Sequence, residues 1–317
     1  MSLQSRPLEK SDAPAMVEII AEMEALEPAD EFWDVEEVLE EFDSPTTDAA
    51  RGTVGITDGD RLVAFGSLSI SQPVGVWKAG LFGGVRTDYL EQGLGRRLLD
   101  ELTAGATAIR DADHPGMPGE LKIWVRDRRP RLTRLAKSAG YEPWRYFQDM
   151  RHTLGDLPEL PPAPAGIEIL PWSPDLDDST LVASNDSFAD HWGSAPIDPV
   201  RWKSYFADSS SFRGADSLVA VDEQGVVAFV LVEEFPAETA ALGFRVGYIA
   251  RVGTARRGRG RGLATTLLIH SLHRLQAQGY EYAELNVDSD SPTGAGRLYR
   301  RIGFEPTHLN TTYGRRF

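Results

Sequence analysis

Hydrophobic positions along the chain change period several times, and each change marks an element. Met16, Ile19, Ile20 and Met23 recur at helical spacing behind Ser11, Asp12 and Pro14, which predicts a helix starting there. A second helix is predicted over Val35 to Phe42, with Glu36, Glu37, Glu40 and Glu41 as its solvated face. From Thr53 to Thr57 and from Arg61 to Ile70 the period drops to two around Asp58-Gly59-Asp60, a β-hairpin pattern. Trp77 to Val85 reads as a strand. Leu94, Leu98, Leu99 and Leu102 mark a helix, Leu121 to Val125 a strand, and Pro130 to Ser138 a helix ended by Gly140.

Between Leu154 and Gly166 the periodicity stops. Pro158, Pro161, Pro162 and Pro164 predict a stiff, exposed linker, and the domain boundary is placed there. Beyond it the same order of elements returns. A strand is predicted over Ile167 to Leu170, with helices near Leu181 to Phe188 and Pro199 to Phe206. Ser217 to Val221 and Val226 to Glu233 make a hairpin around Asp222-Glu223-Gln224-Gly225, and Phe244 to Val252 a further strand. A helix follows through Leu263, Leu267, Leu268, Leu272 and Leu275, then a strand over Tyr282 to Asp288 and a short helix over Gly294 to Arg301.

The repetition is explicit near the end of each half. Leu298 to Pro306 lies over Leu135 to Pro143 at an offset of 163 (299 − 136), and Gly260 and Gly262 are set over Gly93 and Gly95 at an offset of 167 (260 − 93). Two copies of one α/β unit account for the chain: 1–153, a linker at 154–166, and 167–317.

Composition narrows the function. A chain of 317 residues with 41% hydrophobic and 26% charged positions has room for two ordinary cores. No apolar run approaches the roughly 20 residues of a membrane helix, and the residues from Met1 to Lys10 carry no signal-like segment, which predicts a cytoplasmic protein. Absence of cysteine excludes disulfides, thiolate metal sites and a cysteine nucleophile. A net charge of −15 argues against nucleic acid as the main partner; it suits a cationic small molecule, although a solvated acidic surface is the commoner origin of such a charge.

Against that background the run Arg257-Gly258-Arg259-Gly260-Arg261-Gly262-Leu263-Ala264 is conspicuous. A strand, a glycine turn and a helix start leave several backbone N–H groups unpaired and pointing one way, an anion site suited to phosphate. The alternative is a flexible arginine–glycine linker or nucleic-acid tail, but the flanking periodicity is too regular for disorder.

The loop, with Val252 at the end of the strand before it, and the later Leu298, Tyr299, Gly303 and Phe304 resemble the GNAT superfamily of acyl-CoA-dependent N-acetyltransferases. The resemblance implies an α/β (α+β) fold, two tandem GNAT-like domains, each with a mixed, largely antiparallel twisted sheet flanked by helices. It further implies that Val252, Arg257, Gly258, Arg259, Gly260, Arg261, Gly262, Leu263 and Ala264 hold the pyrophosphate side of acetyl-CoA as co-substrate. Ser291, where relatives have asparagine, offers a hydroxyl to the pantetheine side. No metal is implied. Tyr299 matches the general acid that protonates the leaving thiolate; its other reading is a core tyrosine.

Relatives often carry a basic carboxylate on the strand before the loop, and here Arg245 to Arg251 has none. Glu233, Glu234 and Asp288 are the candidates, and Tyr248 could instead order a water. His191 and Trp192 are expected to line the acceptor pocket, with Asp186 and Asp190 adding negative charge. Without cysteine, direct attack by a primary amine in a ternary complex is expected rather than an acyl-enzyme. The first copy is worn: Leu90 replaces the loop arginine, Glu91 puts a negative charge beside any phosphate, and Ala136 stands for the tyrosine. Catalysis is therefore assigned to the second half, in a monomer or weak homodimer. A CoA-binding or sensing protein without turnover is the alternative from another class.

Overall fold

In a computed structural model, the chain is described over residues 3–189, 195–290 and 294–317. In order the elements are β1 (Leu3–Arg6), α1 (Ala13–Leu26), α2 (Val35–Asp43), β2 (Thr53–Asp58), β3 (Arg61–Ile70), β4 (Trp77–Val85) and α3 (Leu94–Asp113). Next come β5 (Gly119–Arg126), α4 (Pro130–Ser138), β6 (Glu142–Thr153), β7 (Glu168–Pro171), α5 (Asp177–Phe188), α6 (Pro199–Tyr205), β8 (Leu218–Asp222) and β9 (Gly225–Glu233). The chain closes with α7 (Pro236–Leu242), β10 (Val246–Thr254), α8 (Leu263–Ala277), β11 (Tyr282–Asp288), α9 (Ala295–Ile302) and β12 (Glu305–Arg316).

Two compact units result, one of residues 1–146 with 309–317 and one of residues 147–308. In the first, the sheet runs β1-β2-β3-β4-β5 and ends on Asn310–Arg316 of β12; every pair is antiparallel except β4 with β5. In the second, it runs β7-β8-β9-β10-β11 and ends on Phe147–Thr153 of β6, and only β10 with β11 is parallel. Each parallel pair is joined by a long helix, α3 or α8, as a crossover requires. The mixed, largely antiparallel sheet expected for each copy is what forms.

The units differ from the expected partition at 1–153, 154–166 and 167–317. The last strand of each repeat completes the other repeat's sheet: β6 pairs with β11, and the end of β12 with β5. Neither strand was predicted. Buried polar groups, His152 in β6 and Asn310 and Thr312 in β12, interrupt their apolar alternation. The linker is largely exposed, as expected, but it is also tied down. Its carbonyls at Pro158 and Pro161 each take a hydrogen bond of 2.8 Å from His273 and His270, and those at Leu154 and Ala165 accept from Gln276 and Arg261. Proline removes donors but leaves acceptors, so the stretch lies as a strap along α8 and the loop before it.

The second unit is built around β9, whose residues from Val226 to Val232 are all buried. α8 contributes Leu267, Leu268 and Leu272 to this core, and α5 contributes Leu181 and Ala183. Removing a buried leucine of this kind costs about 2–5 kcal/mol. The framework holding β10 and its loop is correspondingly rigid.

Candidate active site

The centre of the second unit is a break in the sheet. β10 pairs with β11 only through Val246, Gly247 and Tyr248, opposite Tyr282, Ala283 and Glu284. On its other side β10 follows β9 until Ile249 meets Val232; the next pair is Arg251 with Leu231, so Ala250 is an extra residue without a cross-strand partner. A bulge of this sort bends and twists its strand. Here it coincides with the point where β10 leaves β11, opening a gap between parallel strands. This bulge could not be read from the sequence, since it has no residue signature beyond a polar interruption at Arg251.

At the far end of β10 lies the glycine loop. Gly260 and Gly262 have φ of +78° and +76°, and α8 starts with Gly262 as its N-cap, with no side chain to satisfy the first amides. The backbone N–H groups of Gly260, Arg261 and Gly262 have no partner among the described residues. A Cβ on either glycine would meet nothing within 4 Å, so both front open space and serve the left-handed backbone. Gly258 is different: a Cβ there would lie 2.5 Å from Val227 Cγ2, making it a packing glycine.

The loop arginines are directed elsewhere. Arg257 donates to Asp222 at 3.0 Å and to the carbonyls of Gly225 and Val226, Arg259 donates to the carbonyl of Ser187, and Arg261 to that of Ala165. The loop's capacity for an anion therefore resides in its backbone. Val252 is half-buried opposite Val230, Leu263 is core, and Ala264 is partly covered.

Comparing the two loops corrects the alignment drawn from sequence. Gly93 and Gly262 are the left-handed N-caps of α3 and α8, an offset of 169 (262 − 93), not 167. Gly260 then corresponds to Glu91, whose φ is +63°, and Arg259 to Leu90. The first copy keeps the left-handed turn, at a cost of roughly 1–2 kcal/mol for a non-glycine residue, and places a carboxylate where the second has bare backbone. Glu91 lies 3.4 Å from Arg131. The correspondence of Tyr299 with Ala136 holds, since Gly140 and Gly303 both follow their helices with positive φ.

The first unit nevertheless encloses a cavity of about 470 Å³ beside this loop. Met23, Phe65, Leu99 and Ile123 line its apolar part, and Arg126 and Arg131 contribute positive charge. Loss of the loop glycine has not closed the space.

Among the acid–base candidates, Tyr299 is 8% exposed on α9, with its ring 5.9 Å from that of Phe304. Burial pushes its phenol up to about 12, so it is protonated at neutral pH. Its hydroxyl has no hydrogen-bond partner among the described residues.

The three carboxylates separate clearly. Glu234 is committed to structure, accepting from Arg245, Arg213 and Tyr280 at 2.7 to 3.1 Å. Hydrogen bonds from Arg245 are the main reason its carboxyl sits at about 2, too weak a base for an amine. This removes Glu234 from the catalytic set expected from sequence. Asp288 is buried at the end of β11, where it accepts from Asp290 N at 3.0 Å in a local turn. Glu233, the last residue of β9, is pushed up to about 7 by burial alone. It stands directly across from Tyr248, two residues before the bulged Ala250. Tyr248 also packs on Phe235, with ring centroids 6.0 Å apart.

His191, Trp192, Asp190 and Ser291 lie outside the described residues. Asp186 caps the loop, accepting from Arg256 N at 2.6 Å, which commits it to the protein and not to an acceptor. Arg251 is a residue that the sequence reading passed over. Its Nε donates to Ser184 Oγ at 2.8 Å, its guanidinium carbon lies 4.0 Å from the Phe188 ring centroid, and burial lowers its pKa to about 10.

A bulged strand splayed from its parallel neighbour, ending in a glycine loop with unpaired amides at a helix start, suits the phosphates of the acyl-CoA that the sequence resemblance implies. Known proteins agree. The profile of the Acetyltransferase (GNAT) family matches residues 181–304, all in the second unit. The chain is 31% identical to the mycothiol acetyltransferase of Kytococcus sedentarius, covering 81% of this chain and 79% of that one. Its fold is similar to a crystal structure of a GCN5-related N-acetyltransferase from Sphaerobacter thermophilus (TM-score 0.72, 26% identity, 99% of this chain and 95% of the other). It also matches a tandem GNAT protein from the clavulanic acid biosynthesis pathway (TM-score 0.73, 17% identity, 99% and 98%), a likeness of fold alone. The chain belongs to the GNAT acetyltransferase family and is an N-acetyltransferase of its tandem type. Among the described residues no helix is long and apolar enough to cross a membrane, and no group of side chains suits a metal ion.

Proposed function

We propose that the second unit transfers the acetyl group of acetyl-CoA to the primary amine of a small molecule by direct attack in a ternary complex. The observation that carries this reading is the set of unpaired amides at Gly260, Arg261 and Gly262, set at the end of a strand that has left its parallel neighbour. Phosphates of CoA suit those amides, and the thioester would then extend back along β10 toward the bulge. The first unit carries no chemistry, because Ala136 and Glu91 stand where Tyr299 and Gly260 act in the second.

Glu233 takes the proton from the acceptor's ammonium, directly or through a water. The free amine nitrogen attacks the thioester carbonyl carbon, and backbone N–H groups at the Ala250 bulge stabilise the oxyanion. Collapse breaks the carbon–sulfur bond, and Tyr299 gives its proton to the departing thiolate. The products are the N-acetyl amide and free CoA thiol. With a carboxyl near 7 and a buried phenol near 12, the base can be deprotonated while the acid keeps its proton, as the two transfers need.

Thiol release from acetyl-CoA in the presence of a panel of primary amines tests the assignment. Tight acetyl-CoA binding with no release for any amine would leave a CoA-sensing protein without turnover. A second reading names the acceptor more closely: the relative from Kytococcus sedentarius is a mycothiol acetyltransferase, and its similarity spans most of both chains. Faster turnover with that enzyme's acceptor than with any other amine would establish it.

A further inference from the structure

Arg251 is a half-buried cation for which the described residues supply no carboxylate. The two buried arginines among the described residues have one: Arg86 pairs with Glu18 and Glu22, and Arg129 with Glu24 and Glu31. Arg251 has a serine hydroxyl on its Nε edge and a phenyl ring under its plane, and no carboxylate pairs with it among the described residues. Burying a charge in this way is unfavourable unless something else offsets it. Its two terminal nitrogens make no hydrogen bond to a described residue and are not sealed from solvent, and the Tyr205 phenol is the titratable group that bears on its charge.

Strand geometry places it beside the proposed reaction centre. Glu233 and Leu231 are two apart on β9 and share a face, and their partners across the ladder are Tyr248 and Arg251. All four side-chain positions therefore lie on one face of the sheet, the one where α5 supplies Ser184 and Phe188. Measured along β9, where their partners Glu233 and Leu231 are two residues apart at about 3.3 Å each, the Arg251 position is about 7 Å from that of Tyr248. A molecule delivering an amine to Glu233 would reach Arg251 with a group only a few bonds away.

We infer that Arg251 is the specificity residue for a carboxylate on the acceptor, so that the acceptor is an amino acid or a close derivative. The inference rests on the N-acetyltransferase reading of the second unit and names its substrate class. With Nε occupied by Ser184, the terminal edge of the guanidinium offers a two-pronged fork that matches a carboxylate. A dianionic phosphate is matched less well, because one guanidinium supplies the single charge of a carboxylate.

The test is calorimetric titration of the CoA-loaded protein with leucine, phenylalanine and β-alanine, each beside its carboxamide and its aminophosphonate analogue. At least one acid should bind about tenfold or more tightly than its carboxamide and more tightly than its phosphonate. Arg251→Gln should abolish the difference, and Arg251→Lys should keep part of it. Equal binding of acid and carboxamide, binding of none of the acids, preference for the phosphonate, or a preference that survives Arg251→Gln would each overturn the inference. The comparison within the wild type needs no variant to fold. Thiol release is read separately. Acids that bind selectively without release count against the transferase reading and leave the carboxylate subsite standing, whereas release with no preference for acids does the reverse.

Discussion

Glu233 and Glu234 are adjacent in the chain, yet their carboxyls are driven apart: burial raises Glu233 to about 7, and hydrogen bonds from Arg245 hold Glu234 at about 2. Successive residues at a strand end face opposite ways, so one lies half-buried beside Tyr248 with no donor raising its acidity and the other meets three donors. Two carboxylates with such different proton affinities mark different roles. Glu233→Gln should lower kcat by about 10²–10³-fold. In the wild type kcat/KM should rise with pH through about 7 as Glu233 loses its proton, and this limb should vanish in the variant. An unchanged profile would remove Glu233 as the base.

Stability should respond to the same two groups with opposite signs. Glu234 is lowered from an ordinary 4.5 to about 2, so its contribution is complete above 4.5 and fades as pH falls toward 2. Glu234→Gln should cost a few kcal/mol, about 2–4, at pH 7, the lower part of the range for a broken buried pair because Arg245 is partly exposed. The urea midpoints of wild type and variant should converge on acidification. Glu233, raised from 4.5 to about 7, favours the folded state below 4.5, and that advantage is lost as pH rises through 7. Glu233→Gln should therefore be the more stable protein at pH 8.

Tyr299→Phe keeps the ring that packs on Phe304 and removes only the hydroxyl, which has no partner among the described residues. Thiol release should fall by about 10²-fold or more, while acetyl-CoA affinity and the melting temperature stay close to wild type. A fall of less than threefold would make Tyr299 a packing residue.

The loop glycines should divide by mechanism. Gly258→Ala drives a methyl into Val227 and should lower the melting temperature. Gly262→Ala meets no atom within 4 Å but must hold φ of +76°. It should cost only about 1–2 kcal/mol of stability, yet raise KM for acetyl-CoA by about tenfold or more through the displaced amides. Thermal melts and initial rates for the two variants separate these effects.

The sequence alone determined much of this protein, because its signals are local. Helical spacing of leucines fixed α3 and α8, alternation fixed the β2–β3 and β8–β9 hairpins, and Tyr282–Asp288 and Pro130–Ser138 form with the predicted bounds. The glycine loop and Tyr299 carried the family resemblance because both depend on residue type at fixed spacing. What the tertiary structure decided depends on pairing between distant segments. It set the exchange of β6 and the end of β12, whose partners lie far along the chain and whose buried polar groups hide the strand period. It moved the match between the loops by two residues, since positive φ is a backbone property that Glu91 shares with Gly260. It also separated Glu233 from Glu234 and brought out Arg251, because the proton affinity of a carboxyl and the setting of a cation depend on what surrounds them, which no single residue's identity encodes.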